Sequence, residues 1–189
     1  AATDIREYAR RAAEHGDEYF TLGYELHAYL AATHEREKDL PAAEKHFTAA
    51  LSSKSGDETA MLGLARVLLS QGERTKSRQL HEAILASNPV CAESLARLAE
   101  IALEAGEYDE AYRHASKAAK LAAPSATALC VLGYACAKTD RTDEAVRALE
   151  EALALQPTDS TAIKTLATLC RRSGRDQEAI TGFKRLLDI

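Results

Sequence analysis

Five leucines, Leu30, Leu64, Leu98, Leu132 and Leu166, stand 34 residues apart without a slip in register. The residue after each is small: Ala31, Ala65, Ala99, Gly133 and Ala167. At the same step a second small position recurs as Ala43, Ser77, Ala111, Ala145 and Ala179. Beyond it come the apolar pairs Ala50–Leu51, Ile84–Leu85, Ala118–Ala119, Ala152–Leu153 and Leu186–Leu187. A period of this length is that of one supersecondary unit, which cannot bury its own apolar face and needs stacked neighbours to cover it. The repeat therefore restricts the chain to an array of like units. A small residue on each of two facing helices lets them approach closely, while Leu fills the space between.

The stretch from Ala126 to Pro157 shows the unit most completely. Leu129, Val131, Leu132, Ala135 and Cys136 have helical spacing, as do Ala145, Val146, Leu149, Ala152 and Leu153 beyond a short polar turn. Two amphipathic helices meeting at that turn are expected. Thr142 or Asp143 is the expected cap of the second helix, and Pro157 stops the helix from continuing because it donates no helical hydrogen bond. Gly72, Gly106 and Gly174 share one repeat position, where a residue at positive φ ends the first helix; Lys38 and Asp140 stand there in the other two units. Pro89 and Pro157 close two units, and Pro124 comes one residue late in a third.

Composition agrees with close-packed helices: 46% of residues are hydrophobic, only 5% are aromatic, and there is no Trp. Lys and Arg number 24 against 29 Asp and Glu, a net charge of −5, and no basic run stands out. Nucleic acid and anionic membrane are thereby set aside as main partners. No apolar run approaches a membrane span or a signal core. Ala1 in place of Met points to processing or to a segment of a longer chain. Cys91, Cys130, Cys136 and Cys170 contain no Cys-x-x-Cys and read as separate buried thiols in a reducing compartment, the cytoplasm. His27 and His34 share a helical face, but no Glu-x-x-His or His-Glu-x-x-His lies nearby, so no metal and no cofactor are expected. Phosphate-loop, nucleophile-elbow, zinc-protease and dinucleotide signatures are all missing, and an enzyme is not expected. The carboxylates Glu107, Asp109, Glu110, Asp143 and Glu144 fall where second helices begin and favour the positive dipole end.

The period, the Leu132–Gly133 pair, the Gly-Glu-Tyr-Asp-Glu-Ala of Gly106–Ala111 and the closing Pro resemble the tetratricopeptide repeat (TPR). The resemblance covers residues 24–189 as five units, 24–57, 58–91, 92–125, 126–159 and 160–189. It implies an all-α fold, a right-handed superhelical α-solenoid of antiparallel helix pairs. Residues 1–23 are expected to hold a helix, Asp4–His15, in phase with the second helix of a preceding repeat. The family's aromatic near the start of the first helix is lost, becoming His27, Met61, Leu95, Leu129 and Ile163. Its later aromatic in the second helix survives only as Phe47 and Phe183.

In TPR proteins the first helices line a concave groove that takes an extended peptide or a partner helix. By repeat position the resemblance assigns to that groove Leu62, Arg66 and Leu69, then Glu100, Leu103 and Tyr134, then Lys164 and Arg171. The centre is apolar and the C-terminal end basic, which suits a ligand with a hydrophobic middle and an acidic end. The family's clamp for a terminal carboxylate is not expected, since of the matching positions Ala28, Ala32, Gly63, Glu93 and Arg97 only the last fits. An asparagine ladder is not expected either, because Asn88 is the single Asn. The implied function is a protein-interaction scaffold within a larger TPR protein or complex. The alternative is a self-assembling segment without a groove ligand: no polar capping helix comes after Phe183, Leu186, Leu187 and Ile189, so that end is expected to meet a second copy or a continuing array.

Overall fold

The computed structural model describes residues 20–121 and 125–188, with side chains from residue 23 onward. The expected helix at Asp4–His15 and the residues Pro124 and Ile189 lie outside the described residues. Ten helices and no strand are found among the described residues. They are α1 Phe20–Arg36, α2 Leu40–Ser53, α3 Glu58–Ser70, α4 Arg74–Ser87, α5 Ala92–Ala105, α6 Tyr108–Ala119, α7 Ala126–Lys138, α8 Thr142–Leu155, α9 Ser160–Arg172 and α10 Asp176–Leu187. Consecutive helices pair as α1 with α2, α3 with α4, and so on to α9 with α10. The chain divides into two compact units, one ending at Ser87 and one running from Asn88 to the C-terminus.

Every turn inside a pair closes in the same way. Gly72, Gly106 and Gly174 adopt φ of 86°, 78° and 71°, and the non-glycine replacements Lys38 and Asp140 are held at 62° and 56°. One residue further on, the amides of Asp39, Glu73, Glu107, Arg141 and Arg175 donate five residues back, to His34, Leu68, Ala102, Cys136 and Cys170, at 2.8–3.0 Å. That is the Schellman closure, in which a left-handed residue lets the chain reverse while satisfying orphan helix carbonyls.

First helices have their own 34-residue cap position. Asp57, Ser125 and Asp159 accept from Ala60 N at 3.0 Å, Ala128 N at 3.1 Å and Ala162 N at 2.9 Å, while Cys91, at the equivalent place, caps with no side-chain bond. The expected cap of α8 is corrected: its N-cap is Arg141, which makes no side-chain cap bond, and Thr142 and Asp143 are its first two helical residues. The Schellman turn fixes Arg141 as the entry residue, so the carboxylates of Asp143 and Glu144 act on the exposed amides through the helix dipole instead.

The two small positions of the repeat are buried in every pair, from Ala31 and Ala43 to Ala167 and Ala179. Ser77, where the other pairs carry Ala, satisfies its hydroxyl by donating to Ala65 O at 2.9 Å. In the first unit Phe47 sits against the bare backbone of Gly63, and a Cβ there would collide with its ring. In the second unit a Cβ on Gly133 would lie 2.5 Å from Leu149 Cγ. The second core is a broad aliphatic cluster including Leu129, Val131, Leu132, Val146, Leu149, Leu153 and Ile163.

Candidate binding face on the second unit

In the second unit α5 adjoins α7 and α7 adjoins α9, so three first helices form one continuous surface. Leu103 from α5 and Tyr134 from α7 are half-buried there and pack against the core with their inner sides. Their outer sides line an open cavity of about 550 Å³, completed by Tyr108, Ala137, Lys138, Thr161, Lys164, Thr165, Thr168, Leu169 and Arg172. An adjoining cavity of about 330 Å³ shares Leu103, Tyr134 and Thr161 and adds Glu100, Glu104, Cys130, Gln156 and Asp159 among others. The first cavity has three cations and no carboxylate on its wall; the second has three carboxylates and no cation.

The Tyr134 hydroxyl hydrogen-bonds with Cys130, whose thiol donates to Asp159 Oδ2 at 3.6 Å. Burial, followed by the nearby Asp159 carboxylate, pushes the Cys130 thiol up to about 11, so it stays protonated and unreactive near neutral pH. Burial also raises the Tyr134 phenol, helped by Cys130 and Asp159, and keeps it a neutral hydrogen-bonding group. Nothing in this arrangement supplies an activated nucleophile. It offers instead an apolar floor with a polar rim, the usual make-up of a recognition surface.

Of the residues assigned to the groove from the sequence, Leu103, Tyr134 and Lys164 meet around the basic cavity. Glu100 lines the acidic one and is ion-paired with Arg97, Nη1 to Oε2, at 2.7 Å. Arg171 is exposed and does not line either cavity; Arg172 takes that place. Leu62, Arg66 and Leu69 lie half-buried on α3 in the first unit, where Arg66 forms a two-pronged ion pair with Glu35 at 2.9 and 3.2 Å. Tyr108, Lys138 and Arg172 escaped the sequence reading. Lys138 and Arg172 occupy one repeat position, also held by Glu104, so a sign change from acid to base at that position was the available signal. Lys138 Nζ stands 5.9 Å over the Tyr108 ring.

At the C-terminal end Phe183 and Leu186 are half-buried and Leu187 is 86% exposed. All four cysteines are free and buried. Among the described residues no group of three or more His, Cys, Asp or Glu is arranged to hold a metal ion, and no helix is long and apolar enough to cross a membrane.

Fold and surface together define an all-α solenoid built from repeated antiparallel helix pairs. A tetratricopeptide repeat profile matches residues 35–101 and 102–170. The chain belongs to the tetratricopeptide repeat family, a class of protein-interaction scaffolds. Its fold is similar to that of solved structures of MamA: one at TM-score 0.76 and 17% identity, covering 88% of this chain and 91% of the other. A second is MamA 41-end from Desulfovibrio magneticus RS-1, at TM-score 0.78 and 16% identity, covering 88% and 94%. The structure from the functional characterization of Pseudomonas aeruginosa pilF aligns at TM-score 0.76 and 18% identity, covering 89% and 77%. No curated protein sequence matches the chain significantly.

Proposed function

We propose that the chain is a non-catalytic scaffold that holds a peptide or helix of a protein partner on the first-helix face of the second unit, within a larger assembly. The observation that carries this reading is the open cavity over Leu103 and Tyr134, where large apolar side chains face outward between hydroxyls and cations. Apolar groups kept at such a surface mark an interaction site. The reading takes each helix pair as one of the five units starting near residues 24, 58, 92, 126 and 160. Four separate buried thiols fit a reducing compartment.

The test is site-specific photo-crosslinking with benzoylphenylalanine at Thr161, which lines both cavities, and at Arg147, an exposed residue of the second helix α8. A partner crosslinked from Thr161 and not from Arg147, and lost in Leu103→Glu/Tyr134→Glu, is expected. Equal yields from the two positions would sink the reading.

A second reading rests on α10, where Ile180 and Leu187 are 47% and 86% exposed. It makes Phe183, Leu186 and Leu187 a self-association face. Sedimentation at rising concentration, repeated with Leu187→Glu, tests it: a concentration-independent monomer contradicts it.

A further inference from the structure

We infer that the partner segment received by the second unit is acidic, a peptide with one bulky apolar side chain beside two or more Asp or Glu residues, its carboxylates on Lys164 and Arg172. The inference rests on the binding reading above and adds the chemistry of the ligand.

Charge balance is the first ground. The chain as a whole carries a net charge of −5, yet the cavity over Tyr134 has cations and no carboxylate on its wall. Two of the three carboxylates of the adjoining cavity already serve the fold. Asp159 caps α9 by accepting from Ala162 N at 2.9 Å and takes the Cys130 thiol, and Glu100 holds Arg97. Asp159 and Glu100 are thus engaged internally, whereas Lys164 and Arg172 form no ion pair among the described residues. An anionic ligand restores the balance at the basic cavity, and a cationic one would compete with Arg97 for Glu100 and with the cap of α9 for Asp159.

Spacing is the second ground. Lys164 and Arg172 lie eight residues apart on α9, about 12 Å along the axis of a helix rising 1.5 Å per residue. Three to four residues of extended peptide, at about 3.3 Å each, cover that distance. A run of acidic side chains meets both cations, whereas one small anion does so only if both long side chains fold toward each other. Between them Thr165 and Thr168 donate their hydroxyl hydrogens back to Thr161 O and Lys164 O, each at 2.8 Å. Their oxygens remain acceptors, suited to the N–H groups of a peptide and useless to a bare anion. Tyr134 and Leu103 then seat the apolar side chain.

The experiment pans a phage-displayed random dodecapeptide library on the whole chain and measures the selected peptides, fluorescein-labelled, by fluorescence anisotropy. Three proteins are compared: the chain itself, Lys164→Glu/Arg172→Glu, and Thr161→Trp, both variants changed at exposed positions and checked by circular dichroism. Selected peptides should carry Asp or Glu beside Phe, Tyr or Leu and bind more weakly as salt rises. The double charge reversal should weaken them about tenfold or more, and panning on that variant should return Lys- and Arg-bearing peptides. Peptides lost on Thr161→Trp but free of acidic residues, or indifferent to the charge reversal, overturn the acidic ligand and leave the binding face standing. Peptides indifferent to Thr161→Trp, or no enrichment at all, overturn both.

Discussion

In the first unit the ring of Phe47, on a second helix, lies over Gly63 of the next first helix. In the second unit Leu149, at the same repeat position, lies over Gly133 of its own pair. That position holds Phe47, His81, Ala115 and Leu149, all buried, and then half-buried Phe183. At Phe47 and at Leu149 a facing residue shrinks to glycine. Where it is Ala115, the counterpart of Gly63 is Val131, in the same buried cluster. Backbone register is thus kept by the turns and the small positions, while inter-helix volume is traded between facing side chains. The first core gathers one ring among alanines and Val67, whereas the second spreads its volume over many aliphatic residues.

The largest effect should come from removing the ring. Phe47→Ala should cost about 3–5 kcal/mol, Leu149→Ala about 2–5 kcal/mol, both read by urea denaturation. The first unit should then unfold at a lower midpoint than the second, and a single unchanged transition would break the contrast. Gly63→Ala should cost about 1–3 kcal/mol by overpacking. Combining it with Phe47→Leu should recover part of that loss in a double-mutant cycle, since the smaller side chain vacates the space the new Cβ needs. Additive costs would show that the two residues do not share one volume.

Turn strain is a smaller lever. Lys38 and Asp140 occupy the left-handed region at a position filled elsewhere by glycine. Replacement by Gly should stabilise by about 0.5–1 kcal/mol at Lys38, strain relief outweighing glycine's backbone entropy, and by less at Asp140, because Asp tolerates that region. Thermal melts of the two variants check the order.

The smallest effect expected is on pH dependence. In the first unit His27 Nδ1 and His46 Nδ1 lie 2.9 Å apart, and His34 stacks on His46 with ring centroids at 5.5 Å. Burial holds His27 below the ordinary value of 6.5, with Lys45 adding to it, and holds His46 below it as well, with His27, His34 and Lys45 adding. Both are neutral in the fold and gain protons more readily when unfolded, so their contribution is present above about pH 6.5 and lost on acidification. In the second unit His114 is also lowered by burial, but the Glu110 carboxylate opposes the shift. Stability of the first unit should therefore fall more between about pH 7 and pH 5. His46→Gln should flatten that dependence; an unchanged pH profile would remove the histidines from the comparison.

Much of the fold was legible because it is periodic. Leu30 to Leu166, the small residues after them and the turn position of Gly72, Gly106 and Gly174 repeat at one step, and the structure holds Lys38 and Asp140 at positive φ in that position. Contacts that cross between helices were not legible. His27 and His34 share a helical face in the sequence, but His46 comes from the facing helix, and Phe47 meets Gly63 only through the stacking of pairs. The entry residue of α8 was misplaced because the Schellman turn, and not the nearest capping side chain, sets where that helix begins. On the candidate face, Leu103, Tyr134 and Lys164 follow from repeat position. Tyr108 enters from a second helix, and the choice of Arg172 over Arg171 depends on how α9 is rotated against α7.

Hydrogen exchange of the whole chain, with and without a saturating selected peptide, tests the binding face most directly. Slowed exchange along α5, α7 and α9 and at the start of α6, with α8 and α10 unchanged, is expected. Slowing confined to the second helices, or to α1–α4, would contradict it.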